Sequence, residues 1–184
     1  MAEDSTRPPD PSDQALIERW RGGDERAATI LVERHAGALA RYLTSLGERD
    51  AVDEVVQDTF VRAFSSLDSF RGESSLRTWL FTIGRRLVVD RRRAARRRRD
   101  VRDLDEVDAA SEYTALDGLI ASEAEQRVRE AVERLSPTQR EVFLLRVNEG
   151  LSYRDIAEVV GTTEGAARVH YHNALRTVKE SLYV

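Results

Sequence analysis

Apolar residues recur along this chain at three- and four-residue steps, and polar breakers divide them into segments of helical length. After a polar, proline-bearing lead-in, Asp13 predicts the cap of a helix carrying Leu16, Ile17 and Trp20 on one side. The GGD at 22–24 ends it. A second helix over 25–46 turns Ala27, Ala28, Leu31, Leu39, Tyr42 and Leu43 toward a core, and Gly47 stops it. The third segment has the strongest periodicity: Val52, Val55, Val56, Phe60, Ala63, Phe64 and Leu67. Its opposite face bears Asp53, Glu54, Gln57 and Asp58, which suits plain solvent exposure or docking on a basic partner. A loop over 68–75 holds an RGES turn. A further helix then starts near Leu76, gives Leu76, Leu80, Ile83 and Leu87 to a core, and runs into a block of arginines.

Residues 100–122 lack sustained periodicity and are mostly acidic and small, which marks a linker. A helix follows over 122–135. Ser136-Pro137 with Gln139 is a capping box with proline at the first helical position, starting a helix that bears Val142, Phe143, Leu144 and Val147. After a turn at 148–150, Ser152 and Asp155 form a second capping pattern before Ile156, Ala157 and Val160. Gly161 ends that short helix, since a left-handed terminal residue costs least as glycine. Thr162 and Thr163 can cap the next helix, and Glu164 favours its positive end. Small residues at Ala157, Gly161, Ala166 and Ala167 predict a close approach of the two helices. The pattern fits a helix-turn-helix, whose second helix enters the DNA major groove, or an ordinary helical hairpin in a core.

The chain has 184 residues, enough for one ordinary domain or two small ones, with 41% hydrophobic and 34% charged. It has no cysteine, which excludes disulfides and thiolate metal sites. The lead-in resembles no signal peptide, and no apolar run approaches the roughly eighteen residues a membrane span needs. A cytoplasmic protein without membrane insertion is expected. The net charge of −4 hides an uneven distribution. From Arg85 to Arg99 there are nine arginines against the single acid Asp90; from Asp100 to Glu133, eleven acids against three arginines. So dense a basic block repels itself, opposes helix formation, and calls for a polyanion or an acidic protein. Just before it, Trp79 and Phe81 lie between Arg77 and Arg85/Arg86. Alternating aromatic and basic groups suit single-stranded nucleic acid, where bases stack on rings and arginines track phosphates; a core tryptophan beside a solvated basic surface is the plainer reading. His170 and His172 stand two apart on a helix, so their rings diverge and a shared metal is not expected. No phosphate loop, paired-carboxylate site or activated nucleophile is found. Neither an enzyme nor a cofactor is expected.

Two blocks carry a resemblance. VDEVVQDTFVRAFSSLDSFRGESSLRTWLFTIGRRLVVDRRR resembles region 2, and LSPTQREVFLLRVNEGLSYRDIAEVVGTTEGAARVHYHNALRTVKE region 4, of the extracytoplasmic-function (ECF) sigma factors in the sigma-70 family. The resemblance implies an all-α protein of two small helical domains joined by a flexible linker: a disordered N-terminus (1–12), a region 2 helical bundle (13–99), an acidic linker (100–121) and a region 4 helix-turn-helix domain (122–184). It implies that Asp53, Glu54, Gln57 and Asp58 dock on the β′ coiled coil of core RNA polymerase. Phe70, Arg71, Arg77, Trp79, Phe81, Arg85, Arg86, Arg91 and Arg92 would serve the −10 element, capturing its melted strand and holding upstream duplex. Thr163, Glu164, Gly165, Arg168, His170, His172, Asn173 and Arg176 would face the −35 element, while region 4 touches the β flap. An anti-sigma factor is a further implied partner.

The chain departs from the family pattern at Arg86, where asparagine is common, and at GAARVHYHNA, where the family resembles GTVKSRLHRA. His170 and Asn173 thus stand in for arginines, which implies weaker phosphate anchoring and a different −35 preference. Two other readings are a sigma-mimicking adaptor that binds only an anti-sigma protein, and a stand-alone helix-turn-helix regulator. The arginine block argues against the first; the basic-aromatic helix is unexplained by the second.

Overall fold

The computed structural model describes residues 10–100 and 123–182, and among these every regular element is helical. The expected linker beyond residue 100 and the lead-in before Asp10 lie outside the described residues. Compact packing divides the chain at Gly37/Ala38 into two units.

In the first unit, α1 (Asp13–Arg21) buries Leu16 and Ile17. Its cap is Ser12 rather than Asp13: the Ser12 hydroxyl accepts the Ala15 amide. Asp13 sits in the first turn and is drawn elsewhere, accepting from Arg34 at 2.6 Å and pairing with His35 Nε2 at 2.8 Å. Two partners on the next helix outweigh the single local cap bond. Gly22 and Gly23 close α1, the latter at φ 92°. The chain then enters α2 (Glu25–Ser45).

The second unit begins within α2 and contains α3 (Val52–Ser65), a 3-10 turn (Leu67–Ser69), α4 (Leu76–Asp100), α5 (Glu123–Glu133), α6 (Pro137–Val147), α7 (Tyr153–Val160) and α8 (Glu164–Leu182). The α3 stripe packs on α4, with Val55, Phe60, Ala63 and Leu67 buried. Gly84 is what lets these helices close. A Cβ there would stand 3.1 Å from Leu39 Cδ1, 3.2 Å from Leu43 Cδ2 and 3.3 Å from Thr59 Oγ1. Thr59 is fully buried because its hydroxyl returns a bond to the Val55 carbonyl at 2.7 Å.

The arginine block does not break α4, which stays helical to Asp100. Self-repulsion is offset by partners outside the block. Arg91 pairs with Glu54 on α3 at 3.0 Å, Arg92 donates to the Leu46 carbonyl, and Glu48 lies 3.8 Å from Arg92.

From α5 onward, α5, α6 and α7 all pack on α8, around Ala131, Val132, Leu135, Phe143, Leu144, Ala174 and Val178. The Ser136–Gln139 capping box is present with both reciprocal bonds. Helix α6 is buried on more than one side: Glu141 to Leu145 are all buried, including Leu145, which periodicity passed over. Val147, expected among its apolar residues, is 54% exposed. The helix-turn-helix forms as expected, with Ser152 capping α7, Gly161 at φ 75° and the Thr163 hydroxyl accepting the Ala166 amide. Ala157 and Ala167 are buried at the crossing. Gly161 is exposed, and a Cβ added there would meet nothing within 4 Å, so its backbone conformation, not closeness, demands glycine.

Candidate nucleic-acid interface

Asp53, Glu54, Gln57 and Asp58 all lie exposed on α3, with the apolar side chain of Val61, 57% exposed, on the following turn. Arg91 holds the Glu54 carboxyl below its ordinary range through its hydrogen bond and its charge. The pair is solvent-exposed, so it contributes little to stability.

The loop between the 3-10 turn and α4 is closed at Gly72, φ 71°, leaving Arg71 exposed. Phe70 packs on Trp79 with ring centres 5.0 Å apart, both half-buried. Half-buried rings keep part of their surface open to a base. Phe81 does not. It is fully buried and stacked on Tyr42 at 4.8 Å, so it leaves the set of strand-contacting residues and joins the core. Two residues of helical spacing put Trp79 and Phe81 about 200° apart around the axis, which is why one meets solvent and the other the core.

Arg77 and Arg85 are half-buried and already partnered. Arg77 donates to the Glu149 carboxylate and, at 3.3 Å, to its backbone carbonyl, and lies 5.5 Å from the Phe81 ring centre. Arg85 donates through Nε at 2.7 Å and Nη2 at 3.3 Å to the Glu141 carboxylate, which also accepts the Tyr42 hydroxyl at 2.6 Å. Burial, then the Glu141 charge, pushes the Tyr42 phenol well above its ordinary range. Burial, and then the Arg41 charge, lowers the Arg77 guanidinium from its ordinary range. On Arg85 burial works the same way but is outweighed by the Glu141 hydrogen bond and charge. Glu141 and Glu149 were not singled out in the sequence. The sequence carried no signal for the first, because Leu145, four residues on and on the same helical face, was itself passed over by periodicity. Arg86 is exposed, and Arg91 and Arg92 line a shallow pocket with Glu48, Ala94, Ala95 and Arg98.

On α8 the outward face is open. Thr163, Glu164, Gly165, Arg168, His172 and Arg176 are exposed, and His170 and Asn173 half-buried. Arg168 pairs with Glu164 at 2.9 Å and lies 4.8 Å from the Tyr153 ring centre, which holds the guanidinium over the turn. His172 packs edge-on to Tyr171 at 5.9 Å. Val169, 58% exposed, shares this surface and was missed because an isolated valine has no periodic partner. Among the described residues no group of His, Asp or Glu is placed to hold a metal, and no helix is long and apolar enough to cross a membrane.

The family model for sigma-70 region 2 matches residues 31–98, and that for sigma-70 region 4 matches residues 125–178. The ECF RNA polymerase sigma-E factor of Haemophilus influenzae is 32% identical over 180 residues, covering 93% of this chain and 95% of the relative. That of Escherichia coli is 31% identical over 176 residues, covering 91% and 92%. Among solved structures, the sigma factor RpoE in complex with the anti-sigma factor NepR from Bartonella quintana aligns with a TM-score of 0.68 at 29% identity, covering 85% of this chain and 96% of that one. CnrH in complex with the cytosolic domain of CnrY aligns with a TM-score of 0.65 at 31% identity, covering 94% and 97%. With both region models matched in order, and relatives alike over nearly their whole length, the chain belongs to the ECF subfamily of sigma-70 RNA polymerase sigma factors.

Proposed function

We propose that this chain joins core RNA polymerase and reads a promoter in two parts, −10 through the α3–α4 region and −35 through α8, to start transcription. One observation carries this reading: a single chain holds an exposed acidic helix face, a basic-aromatic helix and an outward recognition helix, within blocks matching region 2 and region 4 in that order. Residues 13–99 form the region 2 domain and 122–184 the region 4 domain, joined by 100–121.

Asp53, Glu54, Gln57 and Asp58 form the docking face for the β′ coiled coil, where carboxylates steer a basic partner and Val61 adds apolar contact. Phe70 and Trp79 offer ring surface to unstacked bases, while Arg71, Arg77, Arg85, Arg86, Arg91 and Arg92 neutralise phosphates. On α8, Arg168 and Arg176 approach phosphates or guanine edges, and Asn173 suits adenine. The complex of the similar sigma factor RpoE with the anti-sigma factor NepR supports an anti-sigma partner here as well. Sigma factors as a class are not enzymes; the catalytic centre is the polymerase's own.

Transcription in vitro over a promoter library tests the reading. Core enzyme plus this chain yields discrete start sites absent with core alone, and Asp53→Lys/Asp58→Lys abolishes them. A purified chain that fails to bind core would sink it.

A further inference from the structure

The ring of Tyr153 joins three helices. Tyr153 opens α7, where the Ser152 cap fixes the first turn and so the backbone that carries the ring. Two guanidiniums lie over that one ring: Arg168 of α8 at 4.8 Å from its centre, and Arg146 of α6 at 4.9 Å. Arg146 is tethered, donating through Nη1 to the Leu151 carbonyl at 2.6 Å. Tyr171 of α8 meets the ring edge-on at 5.8 Å and is itself stacked on Phe143 of α6 at 6.1 Å. Arg146, Tyr153 and Tyr171 are half-buried, whereas Arg168 is exposed and pairs with Glu164. A ring with several supports thus carries an exposed cation.

We propose that Tyr153 is a positioning residue for promoter reading: its ring holds the Arg168 guanidinium in place, so that −35 recognition depends on Tyr153 without Tyr153 touching a base. The proposal rests on the reading that Arg168 meets the −35 element. Arginine has a long flexible stem, and ordering it on DNA costs side-chain entropy unless the folded protein has ordered it already. The ring face attracts a guanidinium through its quadrupole. The N–H donors lie in the guanidinium plane and stay free for a guanine edge or a phosphate. Glu164 alone is a weak tether, because its pair with Arg168 is exposed. The ring itself is held from two helices. Arg146, bound to the Leu151 carbonyl, supports it from α6, and Tyr171, packed on Phe143, supports it from α8.

The test uses core polymerase loaded with the full chain or its variants, and a fluorescein-labelled promoter recovered from the library. Anisotropy reads the affinity at fixed salt. Y153L removes the ring and weakens binding about fivefold. Y153F, which keeps the ring and loses only the hydroxyl, retains the parent affinity. R168A weakens binding at least as much as Y153L, and adding Y153L to R168A weakens it no further, since the ring then has nothing to hold. The same loss from Y153L on both backgrounds refutes positioning. So does a loss in Y153F that matches Y153L, which assigns the effect to the hydroxyl. Tighter binding by Y153L means that the ring withholds Arg168 from DNA, and overturns the proposal as well. If R168A binds like the parent, the −35 reading of Arg168 itself falls. Thermal unfolding compares the folds of the variants, and Y153M carries the same test if Y153L does not fold.

Discussion

Helices α4 and α8 are both proposed to meet promoter DNA, yet they present themselves in opposite states. On α8 most of the residues proposed to face DNA are exposed, and the Arg168–Glu164 ion pair is a surface pair with both partners more than half exposed. On α4 the corresponding cations, Arg77 and Arg85, are half-buried and hold carboxylates that are almost fully buried. A charge on a surface pair is exchanged for phosphate at little cost, since such pairs are worth about 0–1 kcal/mol. A charge in a buried pair cannot be exchanged without uncovering its partner. The proposed −35 face therefore keeps Arg168 in a solvent-exposed pair, whereas Arg77 and Arg85 on the proposed −10 face are held by buried carboxylates. The number of basic residues on a helix does not by itself make a DNA surface.

The comparison breaks most visibly within α4 itself. Phe81→Ala should lower unfolding free energy by about 3–5 kcal/mol in urea titration, as deletion of a fully buried aromatic does. Trp79→Ala, half-buried against Phe70, should cost clearly less stability and instead slow promoter melting more than initial promoter binding. Equal stability losses with equal effects on both steps would erase the distinction between the two rings. On α8, Arg168→Ala should weaken binding to −35 duplex by about 1–3 kcal/mol in fluorescence anisotropy, leaving stability within about 1 kcal/mol of the parent. A stability loss as large as the binding loss would make this face structural.

The smallest effect concerns pH. Tyr42 has its phenol pushed upward by burial and by Glu141, so the folded state favours the neutral form. Its contribution is then fully present below the ordinary tyrosine range near ~10 and is lost as pH rises through that range toward the folded value. Subtracting the Y42F curve from the parent's in an ultraviolet titration should show a phenolate that appears late. In E141Q/E149Q it should appear earlier. A Tyr42 that ionises like a free tyrosine would mean the Tyr42–Glu141–Arg85 group is open in solution.

Features set by a few neighbouring residues were legible in the chain. The Ser136-Pro137-Gln139 start of α6, the Ser152 cap, the Gly161 stop and the Thr163 cap each involve groups within a turn of one another, and all formed as expected. So did the α3 stripe, because seven apolar residues at helical spacing have one compatible arrangement. Where two nearby groups competed, local reasoning chose wrongly. Asp13 looked like a cap, but Arg34 and His35 claimed it and left the cap to Ser12. Phe81 and Trp79 looked alike by composition, and only the position of Tyr42 assigned Phe81 to the core. The arginine block looked hostile to a helix, and partners on α3 and at the end of α2 let it continue.

By itself, then, the sequence determined the helices, most of their ends, the order of two sigma-factor blocks and which residues bear charge. Those properties follow from backbone capping and periodicity, whose range is one or two turns. Only the tertiary structure decided which charges are available. Glu141 and Glu149 lie 56 and 72 residues from the arginines they hold, and nothing within a turn of either end records the pairing. Burial and charge pairing depend on which surfaces meet, and that is settled by the packing of whole helices.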